Sequence, residues 1–260
     1  MNETAPFNPA AARLDAATEA ALYALYRTYF AEHEARQWNV WEVIPTDTDY
    51  TNAEPPSDEL VNAALLCYGA ELFLPDYMTV LLMHSRSSRA RSWYVTHWCY
   101  EEGKHLLALG EWLLRRGLYT EAELQNRGSE MLEGSRWTPV SIDAIALWVD
   151  ALIYESAEIA RYTALKDAAI AENDAVLVTL CDHILGDEAA QSAYFARSLQ
   201  IIRERYADEV SAAIETVCAA QSDPDKARAL VFEEPSSPNE KLSLCETFRK
   251  YESSPMPSAR

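Results

Sequence analysis

Glycine is scarce in this chain, 7 residues of 260, and few stretches alternate Val, Thr or Ile with polar residues. Both shortages argue against a sheet, and the abundance of Ala, Leu and Glu argues for an all-α fold. Positive charge is also short: 22 Lys and Arg stand against 41 Asp and Glu, a formal net charge of -19. That balance argues against a nucleic-acid partner and against general affinity for anionic membranes. The five cysteines, Cys67, Cys99, Cys181, Cys218 and Cys245, are odd in number and scattered, and none forms a Cys-x-x-Cys pair. They read as reduced thiols packed as small hydrophobes, as in a cytoplasmic protein. The N-terminal segment lacks a basic-then-apolar leader, and the expectation is that no apolar run spans a bilayer.

What remains is a series of long helical stretches between short breakers. An amphipathic segment runs from about Asp15 to Trp38. Pro55 and Pro56 followed by Ser57 predict an N-cap for a helix over Asp58 to His84. A second helix is expected from about Arg91 to Arg116, closed by Gly117. Thr120 and Glu123 have capping-box spacing and predict a short helix to Met131. Further helices are expected from Ser141 to Ala171, from Ala175 to Tyr206 after a restart at Asn173 or Asp174, and on to about Ala220. Residues 1–233 are read as one helical domain with its main bundle over about 58–206, and the Ser/Pro-rich segment 234–260 as a flexible tail.

Four of these helices each carry a candidate glutamate, two of them inside apolar runs, CYGAELFLPDY for Glu71 and DALIYESAEIARYT for Glu158. Glu71 and Glu158 stand alone, Glu102 is followed three residues later by His105, and Glu188 by Gln191. Residues three apart on a helix share a face, so Glu102 and His105 can reach one centre together. Several carboxylates buried around one point are tolerable only when cations neutralise them. Oxygen ligands with imidazole suit iron or manganese better than zinc. One Glu from each of two helices, with Glu-x-x-His from each of two others, is the ligand pattern of carboxylate-bridged di-iron bundles. The chain follows that order except at Gln191, whose amide is a weaker ligand than imidazole.

The segments around these residues resemble a known family, the soluble acyl-(acyl carrier protein) desaturases. ELFLPDY from Glu71, WCYEEGKH from Trp98 to His105, AEIARYT around Glu158 and DEAAQSAY from Asp187 to Tyr194 are each similar to one ligand segment of that family. Trp38, seven residues before Pro45, resembles its N-terminal tryptophan. The resemblance covers about Trp38 to Tyr206 and implies a ferritin-like four-helix bundle with extra helices. It implies two iron ions, with Glu71 and His105 on one, Glu158 and Gln191 on the other, and Glu102 and Glu188 bridging. Manganese or single occupancy is the variant reading, and Trp38 and Asp187 are implied in electron delivery.

The implied activity is oxygen-dependent desaturation, or a related oxidation, of an acyl chain on acyl carrier protein in a homodimeric cytoplasmic enzyme. The alternative is a catalytically altered homologue whose mono-metal or empty site binds acyl chains or their carrier. Electrons would come from a ferredoxin-type donor, since the chain has no Gly-rich dinucleotide motif and no Fe–S cysteine pattern. An acidic carrier needs a local basic surface, and Arg86, Arg89 and Arg91 are the first candidates, with Arg115, Arg116, Arg127 and Arg136 the second. Arg161, one turn after Glu158, is expected to pair with it or with a substrate carboxylate, and Glu155 is a weaker partner for that guanidinium. An acyl cavity is sought among Leu72, Tyr77, Tyr94, Trp98, Leu109, Trp148, Tyr154 and Tyr194.

Overall fold

A computed structural model of the chain describes residues 14–47 and 54–221, and within them every regular element is helical. The helices are α1 (Ala16–Glu34), α2 (Val40–Val43), α3 (Asp58–Glu71), α4 (Leu74–Ser85), α5 (Arg89–Arg115), α6 (Glu121–Gly134), α7 (Ala144–Ala171), α8 (Ala175–Arg203) and α9 (Ala207–Ala219). The tail from residue 234 and Cys245 lie outside the described residues.

Local chemistry sets most of the boundaries. Ser57 caps α3 by accepting from the N–H of Leu60, and Thr120 with Glu123 closes a complete capping box on α6. At the end of α5 the chain turns through Gly117, with φ of 68°, and Leu118 N–H returns to the Leu113 carbonyl. Asn173 takes the same left-handed conformation after α7, and Asp174 then caps α8 through Leu177 N–H. Asp174 also accepts from the buried Trp112 indole at 3.0 Å, so one carboxylate fixes both a helix start and a core tryptophan.

Two expectations need correction here. The helix foreseen over Asp58 to His84 is interrupted between Glu71 and Leu74, where Pro75 has no N–H to give the Glu71 carbonyl. The stretch Asp58–Ser85 is nonetheless long and apolar enough to cross a membrane by length and composition, contrary to the expectation. Glu71 and Asp76 are the only charges between Glu59 and His84, too few to lower its mean hydropathy below a spanning helix. Glu71 is fully buried, and Asp76 accepts from Trp137 N–H.

Helices α3, α5, α8 and α7 contact one another in a ring, and α4 continues the α3 position along α5. The apolar core along this ring falls into two clusters. One holds Tyr77, Tyr94, Trp98, Trp148 and Phe195; the other holds Leu60, Leu109, Trp112, Tyr162 and Leu180. On every helix of the ring the polar residues of interest fall between the two clusters. Fully burying a large aromatic side chain stabilises by roughly 1.5–3 kcal/mol, and these clusters hold in place a layer that is costly by itself. Helix α1 lies across α5 and α8 and is fastened by polar contacts: Asp15 N–H donates to the Tyr206 hydroxyl (2.7 Å), and Glu19 pairs with Arg91 (3.3 Å). Cys67, Cys99, Cys181 and Cys218 are buried among apolar residues, as expected.

Candidate metal centre

The polar layer gathers Glu71 from the end of α3, Glu102 and His105 from α5, and Glu188 from α8, all fully buried. His105 Nδ1 lies 3.2 Å from Glu188 Oε1, 3.7 Å from Glu102 Oε1 and 3.9 Å from Glu71 Oε1. Its other nitrogen, Nε2, faces Asp187 Oδ2 at 3.3 Å, and the same oxygen accepts from the Trp38 indole at 2.7 Å. Lys104 sits 3.9 Å from that carboxylate and 4.4 Å over the Trp38 ring. A carboxylate holding the far nitrogen of an imidazole is the usual outer support of a metal-ligating histidine. On α3, Glu71 Oε1 accepts from the Tyr162 hydroxyl at 2.6 Å.

The third long helix departs from the expectation. Glu158 does not join the cluster: Arg161 Nε donates to its Oε2 at 3.1 Å and Arg161 Nη2 closes on its other oxygen. Glu155, foreseen as an alternative partner of Arg161, instead points inward against Glu188 and beside Trp98. Both glutamates are fully buried, and what separates them is Arg161, which lies one turn after Glu158, reaches solvent and holds that carboxylate. Gln191 is buried on α8, but its Nε2 donates to Glu101 Oε2 at 3.0 Å and does not face His105. His183 is stacked on Trp38, away from the cluster.

The electrostatics of the layer are severe. Both oxygens of Glu102, Glu155 and Glu188, one of Glu71, and Nδ1 of His105 make no well-formed hydrogen bond. Burial, reinforced by Glu188, pushes Glu71 up to about 7. Burial likewise holds Glu102 and Glu155 well above the usual carboxylate range, with Glu188 adding to both. His105 is buried, which disfavours its charge, but Asp187 and Glu188 hold it up to about 10. Acceptors without donors and carboxylates without cations are what a divalent-cation site looks like from its protein side. The donor set of carboxylates and one imidazole fits iron or manganese.

Beside the cluster, Tyr77, Trp98 and Tyr154 form the inner wall of a cavity of about 560 Å³, completed by Phe73, Leu81 and Trp137. Tyr77 and Tyr154 both feel the charge of Glu71 and Glu102, which places this wall against the carboxylate layer. Tyr94, Leu109, Trp148 and Tyr194 are instead buried in the two apolar clusters. Among the candidate docking arginines, Arg86 and Arg89 are exposed, but Arg91 is fully buried against Glu19 and cannot serve a partner. Arg115 and Arg116 donate to the Thr46 and Glu54 carbonyls.

No protein-family model matches this chain, and neither a curated protein nor a solved structure matches it. The functional reading therefore rests on the residues themselves.

Proposed function

We propose that the chain is an oxygen-dependent oxidoreductase with a carboxylate-bridged dinuclear metal centre, similar in kind to the acyl-(acyl carrier protein) desaturases and built on a ferritin-like bundle. The residues that would hold the metals are Glu71, Glu102, His105, Glu155 and Glu188, with Glu155 taking the place expected of Glu158. The observation that carries this reading is the set of buried carboxylate oxygens without donors. Two divalent ions would neutralise the four carboxylates. Iron held there would use dioxygen as oxidant, with two electrons from an external donor, to oxidise an unactivated C–H bond, the oxygen not retained in product leaving as water.

The chain's own residues have defined parts in that reading. Asp187 fixes the ring of His105 and, with Trp38, gives a hydrogen-bonded line from the layer towards the Lys104 surface, where a ferredoxin-type donor would meet the chain. Tyr162 orients Glu71. Arg161 neutralises Glu158 and so keeps a further buried carboxylate from competing for cations. The aromatic wall of Tyr77, Trp98 and Tyr154 would exclude water and hold an apolar chain such as an acyl group, with its carrier outside. A single-metal centre is the second reading, favoured by the one imidazole in the layer and by the commitment of the Gln191 amide nitrogen to Glu101.

Iron analysis and anomalous scattering on the reconstituted protein test both. Two ions per chain of similar occupancy are expected, falling to one or fewer in Glu155→Gln and unchanged in Glu158→Gln. One fully occupied ion beside His105 with nothing beside Glu155 would establish the second reading. Failure to bind any metal in the folded protein would sink both.

A further inference from the structure

A second group of ligand atoms lies outside this layer, at the crossing of α1 and α5. His33 from α1 meets His97 and Glu101 of α5, which are four residues apart and therefore on one helix face. One nitrogen from each histidine and one carboxylate oxygen all lie within 4.8 Å of one another. His33 and Glu101 are completely buried, and the His97 side chain is 8% exposed.

The geometry points to a site for a divalent transition-metal ion of the zinc class, held by His33, His97 and Glu101. The carboxylate is aimed by its surroundings. Its Oε2 accepts from the Tyr29 hydroxyl at 2.7 Å and from Gln191 Nε2 at 3.0 Å, which leaves Oε1 facing the two imidazoles. Oε1 touches His33 Nδ1 and lies 3.6 Å from His97 Nε2. None of these three atoms makes a well-formed hydrogen bond, although all three are buried. Two rings, T-shaped at 4.5 Å, converging on one oxygen whose partner oxygen already has its donors, form a ligand set with an oriented carboxylate. Imidazole nitrogen with one carboxylate oxygen is a donor set that zinc-class ions take, and three protein ligands leave a four-coordinate ion one position for water or another ligand.

This site does not rest on the dinuclear reading, because none of its ligands belongs to the carboxylate layer. It also gives Gln191 a purpose. The residue standing where the family pattern has a histidine donates to Glu101 and so supports the second set of ligands.

The test is crystallography of the full chain soaked in zinc or cobalt, with anomalous maps at the edge of the added metal, alongside Co(II) titration in solution. A peak among His33, His97 and Glu101 is expected, together with the intense visible bands of four-coordinate cobalt. Both should vanish in His33→Gln. Tyr29→Phe, which removes only an outer hydrogen bond, should weaken cobalt binding by about 10–100-fold. If His33→Gln does not fold, His97→Gln, on the less buried ring, replaces it. Absence of a peak there in the folded wild-type protein, or cobalt bands untouched by either histidine variant, overturns the site. The anomalous maps separate the two metal proposals. A peak at Glu71, Glu102, His105 and Glu188 without one here defeats this site alone, and the converse defeats the dinuclear reading alone.

Discussion

Replacing Asp150 by asparagine isolates the cost of charge inside the cavity. Asp150 lies on α7 in the cavity wall, and burial raises its carboxyl from 3.8 to about 6. An acid raised by folding holds its proton longer in the native state than in the unfolded chain. Stability is therefore highest below the unfolded value, falls as pH rises from about 4 to about 6, and is level above that. A separation of roughly two pH units at ~1.4 kcal/mol each sets the loss at no more than about 3 kcal/mol. Asp150→Asn removes the charge and keeps the shape, so its gain should approach that figure at pH 8 and shrink to about 1 kcal/mol near pH 4.5. For a chain of this size the gain at pH 8 corresponds to a rise in Tm of roughly 5–10 °C. Thermal melts of both proteins at the two pH values check it, with the difference between them cancelling every other titrating group. An equal Tm gain at both pH values, or none at pH 8, would show that burial does not raise the Asp150 carboxyl. The same reasoning predicts tighter binding of an apolar ligand below pH 6.

Three other outcomes follow from the geometry. Asp187→Asn removes the charge that holds His105 Nε2 and should weaken metal binding by roughly 10–100-fold in competition with a chelator, while leaving the fold intact. Asp174→Ala removes the N-cap of α8 and strands the Trp112 indole, costing about 1 kcal/mol for the cap and about 1–3 kcal/mol for the buried donor, measured by denaturant unfolding. Arg161→Ala leaves Glu158 buried without its cation, so it should destabilise by about 3–5 kcal/mol, and adding Glu158→Gln should recover most of that loss.

The helices were legible because their ends are written in short-range chemistry. Ser57, Thr120 with Glu123, Gly117 and Asp174 act on groups within a few residues of themselves, and each lies where its spacing foretold. Grouping Glu71, Glu102, His105 and Glu188 also needed only one inward face on each of three helices. Choosing between Glu155 and Glu158 needed more. The two differ by less than a turn and both are fully buried, so the choice rests on what faces them, Arg161 for Glu158 and Glu188 for Glu155. Gln191 and Arg91 were harder still, since their partners Glu101 and Glu19 lie 90 and 72 residues away in sequence. The break before Pro75 was readable, because a proline cannot serve the carbonyl four residues earlier.

The fastening of α1 has a consequence for the order in which the molecule is assembled. This helix is made first, yet its clasp to Tyr206 joins residues 191 positions apart. A chain leaving the ribosome carries His33 and Trp38 long before their partners Glu101 and Asp187 exist. The long loop that this closure must draw in costs entropy before any contact repays it. The carboxylate layer can thus form between α3, α5, α7 and α8 while its α1 side still stands open. A nascent chain halted short of residue 206 would hold α1 through its contacts with α5 and α8 but without the Asp15–Tyr206 clasp, which only synthesis past α8 supplies.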